Sequence, residues 1–461
     1  EGALVTPAFV DAHVHITSTG LALTGLDLSA ATSLADALRQ VEDAARRSRG
    51  GIVLGHGWDE TRWPEHRAPT RHELDRASYG GVVYLSRIDV HSAAVSSALL
   101  AAVPEARGEL GFHDSGHVTR EAHHLVRRVA RESVAPAQRR SLHLAALRHA
   151  AGLGIATVHE LAGPDISSRE DLEALLALAA SGVEGLPEVV PYWGELAPHG
   201  VTVARSHSAL GAAGDLFTDG SIGSHTAALR DHYADADHAG HGYLTAAQVR
   251  DHVVACTEAG LQAGFHAIGD AALDAVAAGL AEAEAKLGTR ALRAARHRIE
   301  HVEMVSAEAI EVFARLGVVA SVQPAFDRLW GGVDGMYAER LGVERALRLN
   351  PFRALADAGV TLALGSDSPV TPLDPWGSVA AAVGHRTPGS GLTPAEAFRA
   401  HTVGGARAAR RDDAGELLAG SPATFAAWDD APLGPDGMPD PEAPSPRCRL
   451  TVRDGQVVFA R

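Results

Sequence analysis

The chain of 461 residues is 46% hydrophobic and 21% charged, which is typical of a globular protein. Its formal net charge of −16 argues against a nucleic acid or an anionic membrane as a partner, and it has no apolar run long enough to cross a bilayer. Cys256 and Cys448, the two cysteines, lack close spacing, so we expect a reducing, cytoplasmic compartment.

The first predicted elements are a strand at residues 9–15 and a helix at about 32–49. No signal peptide is visible, and the first strand comes so early that we expect the natural chain to begin before it. Periodicity is weak from about 50 to 134, apart from a short strand at 82–85. A long segment of this kind is usually functional, so it is predicted to be an insertion after the first strand.

From about residue 136 onward, an alanine-rich helix, a glycine and a short apolar strand recur in that order. Glycine past a helix end supplies a left-handed cap, and strands that are apolar throughout are typical of parallel sheets. The eight candidate strands are 9–15, 155–160, 188–193, 215–219, 261–266, 297–302, 317–323 and 360–367. With helical crossovers and no G-x-G-x-x-G turn, they predict an α/β fold, a (β/α)₈ TIM-like barrel rather than an open sheet.

The composition of the sequence changes after about residue 420. Residues 431–446 are rich in proline and predict a linker. Residues 449–459 predict a hairpin with an Asp-Gly turn. Because a lone hairpin is marginally stable, we expect it to join residues 421–428 and an N-terminal segment.

Polar residues follow several of the predicted strands, where the chemistry of such a barrel lies. His13 and His15 point the same way because side chains alternate along a strand. The full set is His13, His15, Glu160, Asp215, Asp219, His266, His301 and Asp367. Singly, His266 could be a core histidine and Asp367 a helix N-cap. Together, four histidines and an aspartate at one end of a barrel are best explained by a divalent cation, since buried charges need a partner or a metal.

Seven motifs, spread over nearly the whole chain, carry a resemblance to a known family. They are residues 7–15, 57–60, 87–92, 218–224, 265–270, 298–301 and 365–369. With them the chain resembles the amidohydrolase superfamily and, within it, the YtcJ-like metal-dependent hydrolases. The resemblance implies a barrel over residues 7–419, with the insertion at about 50–134, and a partial β-sandwich built from residues 1–6 and 420–461. The metal ligands that it implies, for one or two ions and most commonly zinc, are His13, His15, His266, His301 and Asp367.

One departure concerns the ion count. Relatives with two metals usually bridge them with a carboxylated lysine on the fourth strand, where this chain has Asp215. Lys286, the only lysine, lies in a predicted amphipathic helix and cannot substitute. We therefore expect either one metal, or two metals bridged by Asp215 or Glu160, with Asp219 as a further bridging or supporting carboxylate.

A bound zinc ion activates water near neutral pH, which predicts hydrolysis. We expect Asp367 to move the proton and His301, or His266, to stabilise the oxyanion where it is not committed to metal. Trp58 and His91 are candidate walls of the substrate pocket, although a packed aromatic and a loop hydrogen bond explain them equally well.

The predicted function is a metal-dependent hydrolase that cleaves a non-peptide C–N bond, of amide or formamide type, in a small-molecule substrate. Two alternatives stay open: a mononuclear deaminase of a cyclic amidine, and a metal-binding homologue impaired in catalysis. We expect no nucleic-acid or membrane partner, and a homo-oligomer is compatible with the sequence.

Overall fold

The computed structural model describes residues 4–48, 52–132, 134, 136–435 and 437–461. The chain forms two compact units. The first contains Glu1–His15 and Leu147–Arg461, and the second, inserted unit is Ile16–Ala146. The inserted unit therefore includes the helix predicted at about 32–49 as well as the predicted insertion at about 50–134.

The described strands have the following bounds. They are β1 (Leu4–Pro7), β2 (Phe9–Val14), β3 (Leu26–Asp27), β4 (Val53–Trp58), β5 (Val83–Arg87), β6 (Ser92–Val95), β7 (His117–Thr119), β8 (Ile155–Ala162), β9 (Glu188–Trp193), β10 (Gly211–Ala212), β11 (Gln262–Ala267), β12 (Arg298–His301), β13 (Val319–Val322), β14 (Thr361–Leu364), β15 (Phe425–Trp428), β16 (Cys448–Arg453) and β17 (Gln456–Ala460).

The α-helices lie mostly between these strands. They are α1 (Ile16–Thr24), α2 (Leu34–Ser48), α3 (Arg71–Ala77), α4 (Ser97–Ala102), α5 (Arg120–Glu132), α6 (Pro136–Gly152), α7 (Arg169–Ala180), α8 (His199–Ser206), α9 (Ala246–Glu258), α10 (Asp270–Leu287), α11 (Thr289–Ala295), α12 (Ala307–Leu316), α13 (Pro324–Trp330), α14 (Met336–Leu341), α15 (Val343–Ala346), α16 (Phe352–Asp357), α17 (Pro375–Val383), α18 (Pro394–Arg399) and α19 (Gly405–Ala408). In the described part of the chain, none of them is long and apolar enough to cross a membrane.

The first unit is built on two parallel sheets, one with the order β2-β8-β9 and one with the order β10-β11-β12-β13-β14. Every residue of β8 and β11 is buried, as expected of parallel strands covered on both faces. The predicted helix–glycine–strand pattern is confirmed in α12, which starts at the N-cap Ser306 and ends at Gly317 with φ +67° before β13.

The fourth predicted strand differs from the structure. We predicted residues 215–219, but β10 covers only Gly211–Ala212. Gly214 has φ +96°, and a Cβ atom there would lie 3.1 Å from Cβ of Leu161, so the chain turns close beside β8. Asp215 therefore lies beyond the strand, and Phe217 pairs only in an isolated parallel bridge with His266.

Main-chain hydrogen bonds also link the two parallel sheets. The Leu210 N–H donates to the Pro191 carbonyl over 3.1 Å, and Val14 forms a parallel bridge with Ser368. The carboxyl ends of β2 and β14 are therefore adjacent.

The two chain ends meet in one antiparallel sheet with the order β1-β15-β16-β17, which confirms the predicted pairing of the hairpin. Asp454 and Gly455 form its turn with φ +49° and +79°, as an Asp-Gly turn requires. The Trp428 ring packs 5.7 Å from the Phe9 ring, and Gly154 leaves room for it. The described residues do not add the second sheet that a sandwich needs.

The inserted unit has its own mixed sheet, β3-β4-β5-β6-β7, with β3, β4 and β5 parallel. Trp58 and Trp63 are buried in its core. The expectation of an irregular segment was wrong here. Glycine and histidine interrupt the apolar pattern of β4, whose sequence is VLGHGW, so its strand character is hidden.

Candidate metal centre

Six side chains with metal-ligating atoms converge at the carboxyl ends of the parallel strands of the first unit. They are His13, His15, Asp215, His266, His301 and Asp367, each at most 5% exposed. Oδ1 of Asp367 lies 3.2 Å from Nε2 of both His13 and His15. The predicted ligands from the start, middle and end of the sequence are thus brought together.

Asp215 lies between the imidazoles. Its Oδ2 is 3.0 Å from Nε2 of His15 and 3.5 Å from Nε2 of His13. Its Oδ1 is 3.6 Å from Nδ1 of His266 and 3.8 Å from Nε2 of His301. The carboxylate therefore faces all four histidines.

Several of these buried atoms lack a hydrogen-bond partner among the described residues: Nε2 of His13, Oδ1 of Asp215 and Oδ1 of Asp367. A buried polar atom without a partner is costly, and a cation removes that cost. Ligand atoms about 2.0–2.2 Å from a tetrahedral zinc ion lie roughly 3.3–3.6 Å apart, close to the separations observed. The donor set therefore fits a divalent cation.

Hydrogen bonds on the far side of two rings fix which nitrogen is available. The Nδ1–H of His13 donates to Oε2 of Glu300 over 3.0 Å, and the Nδ1–H of His301 donates to Oε1 of Gln323 over 2.8 Å. Each ring then turns Nε2 toward the centre, as the nitrogen available to a cation. Orienting hydrogen bonds of this kind are usual behind metal-ligating histidines.

His266 is held in the opposite tautomer. Its Nε2–H donates to the carbonyl of Gly220 over 3.1 Å, so that Nδ1 faces Asp215. Asp219 lies behind it, with Oδ1 3.8 Å from Nε2 of His266. The Asp219 carboxylate accepts N–H groups of Ala228, Ile268 and Gly269, so it supports the ligand loop rather than facing the centre.

A buried ion pair supports the site. Arg298 and Glu300 are fully buried, and the guanidinium donates to both carboxylate oxygens over 2.5 and 2.9 Å. The same guanidinium donates to the Ala12 carbonyl and stacks over the Tyr192 ring at 4.5 Å. Although burial alone would raise the pKa of Glu300, the neighbouring Arg298 lowers it to about 2. The carboxylate is therefore ionised and orients His13.

The backbone around Asp367 is tied to β2. Asp367 has φ +55°, a conformation that non-glycine residues rarely adopt, and its N–H donates to the His13 carbonyl over 2.8 Å. Oδ1 of Asp11 accepts the N–H groups of His13 and Ser366. Strained backbone that is held in this way is typical of functional sites.

Charge pairing outweighs burial at the centre. Burial favours the neutral imidazole of His15, but the adjacent Asp215 and Asp367 carboxylates raise its pKa to about 9. Burial likewise opposes ionisation of Asp367, yet His13 and His15 hold its pKa below the ordinary value. In the absence of a cation, protons on His13 and His15 thus balance the carboxylates.

The sequence predicted a role for three more residues. Glu160 is buried on β8, between Val14 and Pro191 of the neighbouring strands, and neither compact group of ligand atoms includes it. Trp58 is 1% exposed, and its indole N–H donates to the Leu85 carbonyl within the inserted unit. These contacts agree with the alternative explanation of Trp58 as a packed core aromatic. The His91 N–H donates to Oδ1 of Asp89. Their assignment to a substrate pocket stays a prediction.

Sequence reasoning gave no role to four supporting residues, Asp11, Arg298, Glu300 and Gln323. Two of them had a usable signal: Arg298 and Glu300 are charged residues two positions apart in a buried strand, so they share a face. Gln323 had no such signal, because its partner His301 lies on another strand.

This arrangement of buried histidines and carboxylates is that of a metal-dependent hydrolase. A model of the amidohydrolase family matches residues 1–459, and the chain belongs to this family. A protein of Bacillus subtilis (strain 168) that carries the name amidohydrolase YtcJ is 26% identical, over 100% of this chain and 90% of its own.

Two further relatives are informative. An N-substituted formamide deformylase of Arthrobacter pascens is 25% identical, over 94% of this chain and 84% of its own. The crystal structure of an uncharacterized metal-dependent hydrolase from Pyrococcus furiosus has 28% sequence identity and a TM-score of 0.72, covering 94% of this chain and 88% of that chain.

Proposed function

We propose that the protein hydrolyses a non-peptide C–N bond, of amide or formamide type, in a small molecule, with a divalent cation held by His13, His15, His266, His301 and Asp367. The observation that carries the proposal is the position of Asp367, whose Oδ1 lies 3.2 Å from Nε2 of both His13 and His15. Zinc is the proposed cation, because imidazole and carboxylate are its usual catalytic ligands.

The similarity to an N-substituted formamide deformylase supports the choice of bond. A formamide presents a small carbonyl carbon and a substituted nitrogen as the leaving group. We extend this chemistry to the present chain as the first class of substrate to be tested.

When bound, the cation lowers the pKa of a water molecule and polarises a carbonyl oxygen. The protein supplies the proton transfers. The Asp367 carboxylate is ionised at neutral pH because His13 and His15 hold its pKa low. In the proposal it accepts a proton from the attacking water and returns that proton to the leaving nitrogen, the role of a general base that becomes a general acid.

His301 has one nitrogen left for the chemistry. Its Nδ1–H is committed to Gln323, and its Nε2 faces Asp215. That nitrogen can hold the cation as a lone pair, or stabilise a developing oxyanion once it carries a proton, but it cannot do both at once. We therefore propose His301 as a ligand first, with an oxyanion role wherever the cation leaves Nε2 free.

We also propose that the two parallel sheets are parts of one (β/α)₈ barrel, with the site at the carboxyl ends of its strands. The bridge from Val14 to Ser368 and the hydrogen bond from Leu210 to Pro191 support this arrangement. The proposed compartment is the cytoplasm, in keeping with two free cysteines that are both buried.

The test is a substrate panel with the zinc-loaded full chain. N-substituted formamides, N-acyl amines and cyclic amidines are incubated separately, and amine, carboxylate and ammonia are quantified. Amine and formate, or amine and carboxylate, in equal amounts support the proposal. Ammonia from a cyclic amidine alone would favour a deaminase. No turnover with zinc, manganese, iron or nickel would favour a homologue impaired in catalysis.

A further inference from the structure

The two oxygens of the Asp215 carboxylate face different pairs of histidines. Oδ2 is nearest to Nε2 of His15, at 3.0 Å, and of His13, at 3.5 Å. Oδ1 is nearest to Nδ1 of His266, at 3.6 Å, and to Nε2 of His301, at 3.8 Å. Most of these separations are too long for hydrogen bonds but suit two ligands of one cation.

A single cation cannot be held by all of these donor atoms. The atoms form two compact groups, one with His13, His15 and Asp367, and one with His13, Asp215 and His301. Nε2 of His13 can serve only one cation, and we place it with His15 and Asp367, because it lies 3.2 Å from Oδ1 of Asp367 and 3.5 Å from Oδ2 of Asp215. The second group then keeps Asp215 and His301.

His266 completes the second group. Its ring lies 4.5 Å from the His301 ring, and its Nδ1 is turned toward Asp215 by the hydrogen bond from Nε2 to Gly220. Two imidazoles and a carboxylate oxygen give three protein ligands, the number that leaves a fourth position open in a catalytic zinc site.

The site has no lysine. The chain's only lysine, Lys286, lies on α10 with half of its side chain exposed, 3.7 Å from Asp251. A bridging carboxylate must therefore be the side chain of an aspartate or a glutamate. Asp215 is 5% exposed and is the carboxylate that faces both groups.

We propose that Asp215 bridges two divalent cations, one held by His13, His15 and Asp367 and the other by His266 and His301. The bridge is an ordinary side-chain carboxylate, so the site fills with two cations without carbon dioxide. This inference rests on the proposed metal-dependent function and adds the number of ions, the bridging residue and independence from carbon dioxide.

The experiment measures bound metal rather than turnover. The full chain is stripped with a chelator, dialysed into buffer freed of carbon dioxide, and reconstituted with zinc or cobalt, with and without added bicarbonate. Zinc per chain is measured by mass spectrometry, and magnetic coupling between two cobalt ions by electron paramagnetic resonance. We expect two zinc ions per chain and coupled cobalt in both buffers.

Two variants locate the bridge. Asp215→Asn keeps the size of the side chain but removes its charge, and we expect zinc to fall from two ions to one and the cobalt coupling to disappear. Glu160→Gln is the matched control, because Glu160 is the other buried carboxylate considered as a bridge, and we expect it to keep two ions. Circular dichroism of the metal-free forms checks that both variants fold.

The outcomes separate the two proposals. One zinc ion in the wild-type chain, or a second ion only with bicarbonate, would overturn the bridge and leave the metal-dependent function intact. Loss of the second ion in Glu160→Gln but not in Asp215→Asn would overturn the assignment to Asp215. A folded wild-type chain that binds no cation would overturn the proposed function itself. If Asp215→Asn does not fold, the wild-type ion count and cobalt coupling still decide the matter.

Discussion

Oδ1 of Asp367 lies 3.2 Å from Nε2 of His15, which joins the turn after β14 to the end of β2. The contact is backed by the main chain on both sides, since the N–H of Asp367 donates to His13 and the N–H of His15 donates to Ser368. The site is therefore held by strand ends before any cation binds. Such preorganisation is what a catalytic metal centre requires.

Asp367→Asn removes the proposed proton acceptor while keeping the shape of the side chain. We expect kcat on an amide or formamide substrate to fall by about 100- to 10,000-fold, the usual contribution of general acid–base catalysis. Asp374→Asn is the matched control, because Asp374 caps α17 and asparagine caps equally well. Unchanged kcat in Asp367→Asn would remove Asp367 from the mechanism.

Glu300→Gln tests the orientation of His13. The carboxylate accepts the Nδ1–H of His13 and pairs with the buried Arg298, so its neutral replacement leaves both partners poorly satisfied. We expect zinc affinity to fall by about 10- to 100-fold. Competition with a zinc chelator measures the effect. Glu284→Gln, which changes surface contacts with Arg315 and Thr289, is the control, and an equal loss in both variants would contradict the account.

Zinc affinity should rise with pH. Without a cation, the adjacent Asp215 and Asp367 carboxylates overcome burial and raise the pKa of His15 to about 9, so a cation must displace its proton at neutral pH. We expect the apparent affinity to increase by about tenfold per pH unit for each displaced proton, up to about pH 9. Calorimetry in buffers of different ionisation enthalpy measures the proton release. An affinity that stays flat from pH 6 to pH 8.5 would be inconsistent with protonated imidazoles.

In the metal-free protein, the stabilisation of the fold by His15 should fall as the pH rises, whereas the affinity for zinc rises. A histidine whose folded pKa is raised stabilises the fold fully below its unfolded pKa, and that stabilisation is lost as the pH rises through the folded value. We therefore expect the contribution of His15 to the unfolding free energy to decline between about pH 6.5 and 9. Denaturant titrations of the metal-free chain and of metal-free His15→Asn across this pH range measure the contribution. If the unfolding free energy changes equally with pH in both proteins, the prediction is refuted.

Acid should weaken the fold through His252. Burial lowers the pKa of this histidine to about 4, and both ring nitrogens are used, since Nδ1 accepts from Ala197 and Nε2 donates to Ala212. The unfolded chain binds the proton first, so stability is lost as the pH falls below about 6.5. We expect about 1.5 kcal/mol from this group between pH 6.5 and 5.

Denaturant titrations at the two pH values of the wild type and of His252→Gln check this expectation. The variant should lose less stability on acidification than the wild type. His232→Gln, which changes an imidazole that is 61% exposed, should behave like the wild type. If His252→Gln loses as much stability on acidification as the wild type does, the buried neutral histidine is not the cause of the acid sensitivity.

The parallel strands of the first unit were predictable because they are short, apolar and preceded by glycine-capped helices. The ligands His13, His266 and His301 could be chosen for the same reason, since each stands at or near the end of such a run. The position of Asp367 followed from the apolar run of β14. Local pattern alone located these residues.

What escaped prediction depends on contacts between distant parts of the chain. Asp215 leaves the fourth strand because Gly214 turns the chain beside Leu161, which no local pattern signals. The orienting hydrogen bonds that His13 donates to Glu300 and His301 donates to Gln323 join different strands. The strand β4 of the inserted unit was hidden by its glycines and histidine, whose burial depends on the rest of that unit.

The most direct test of the account is diffraction from crystals grown with zinc, recorded on both sides of the zinc absorption edge. We predict anomalous peaks about 2.0–2.2 Å from Nε2 of His13 and His15 and from the carboxylates of Asp367 and Asp215. Crystals that contain zinc elsewhere, with no anomalous peak between these side chains, would contradict the claim that they hold a catalytic cation.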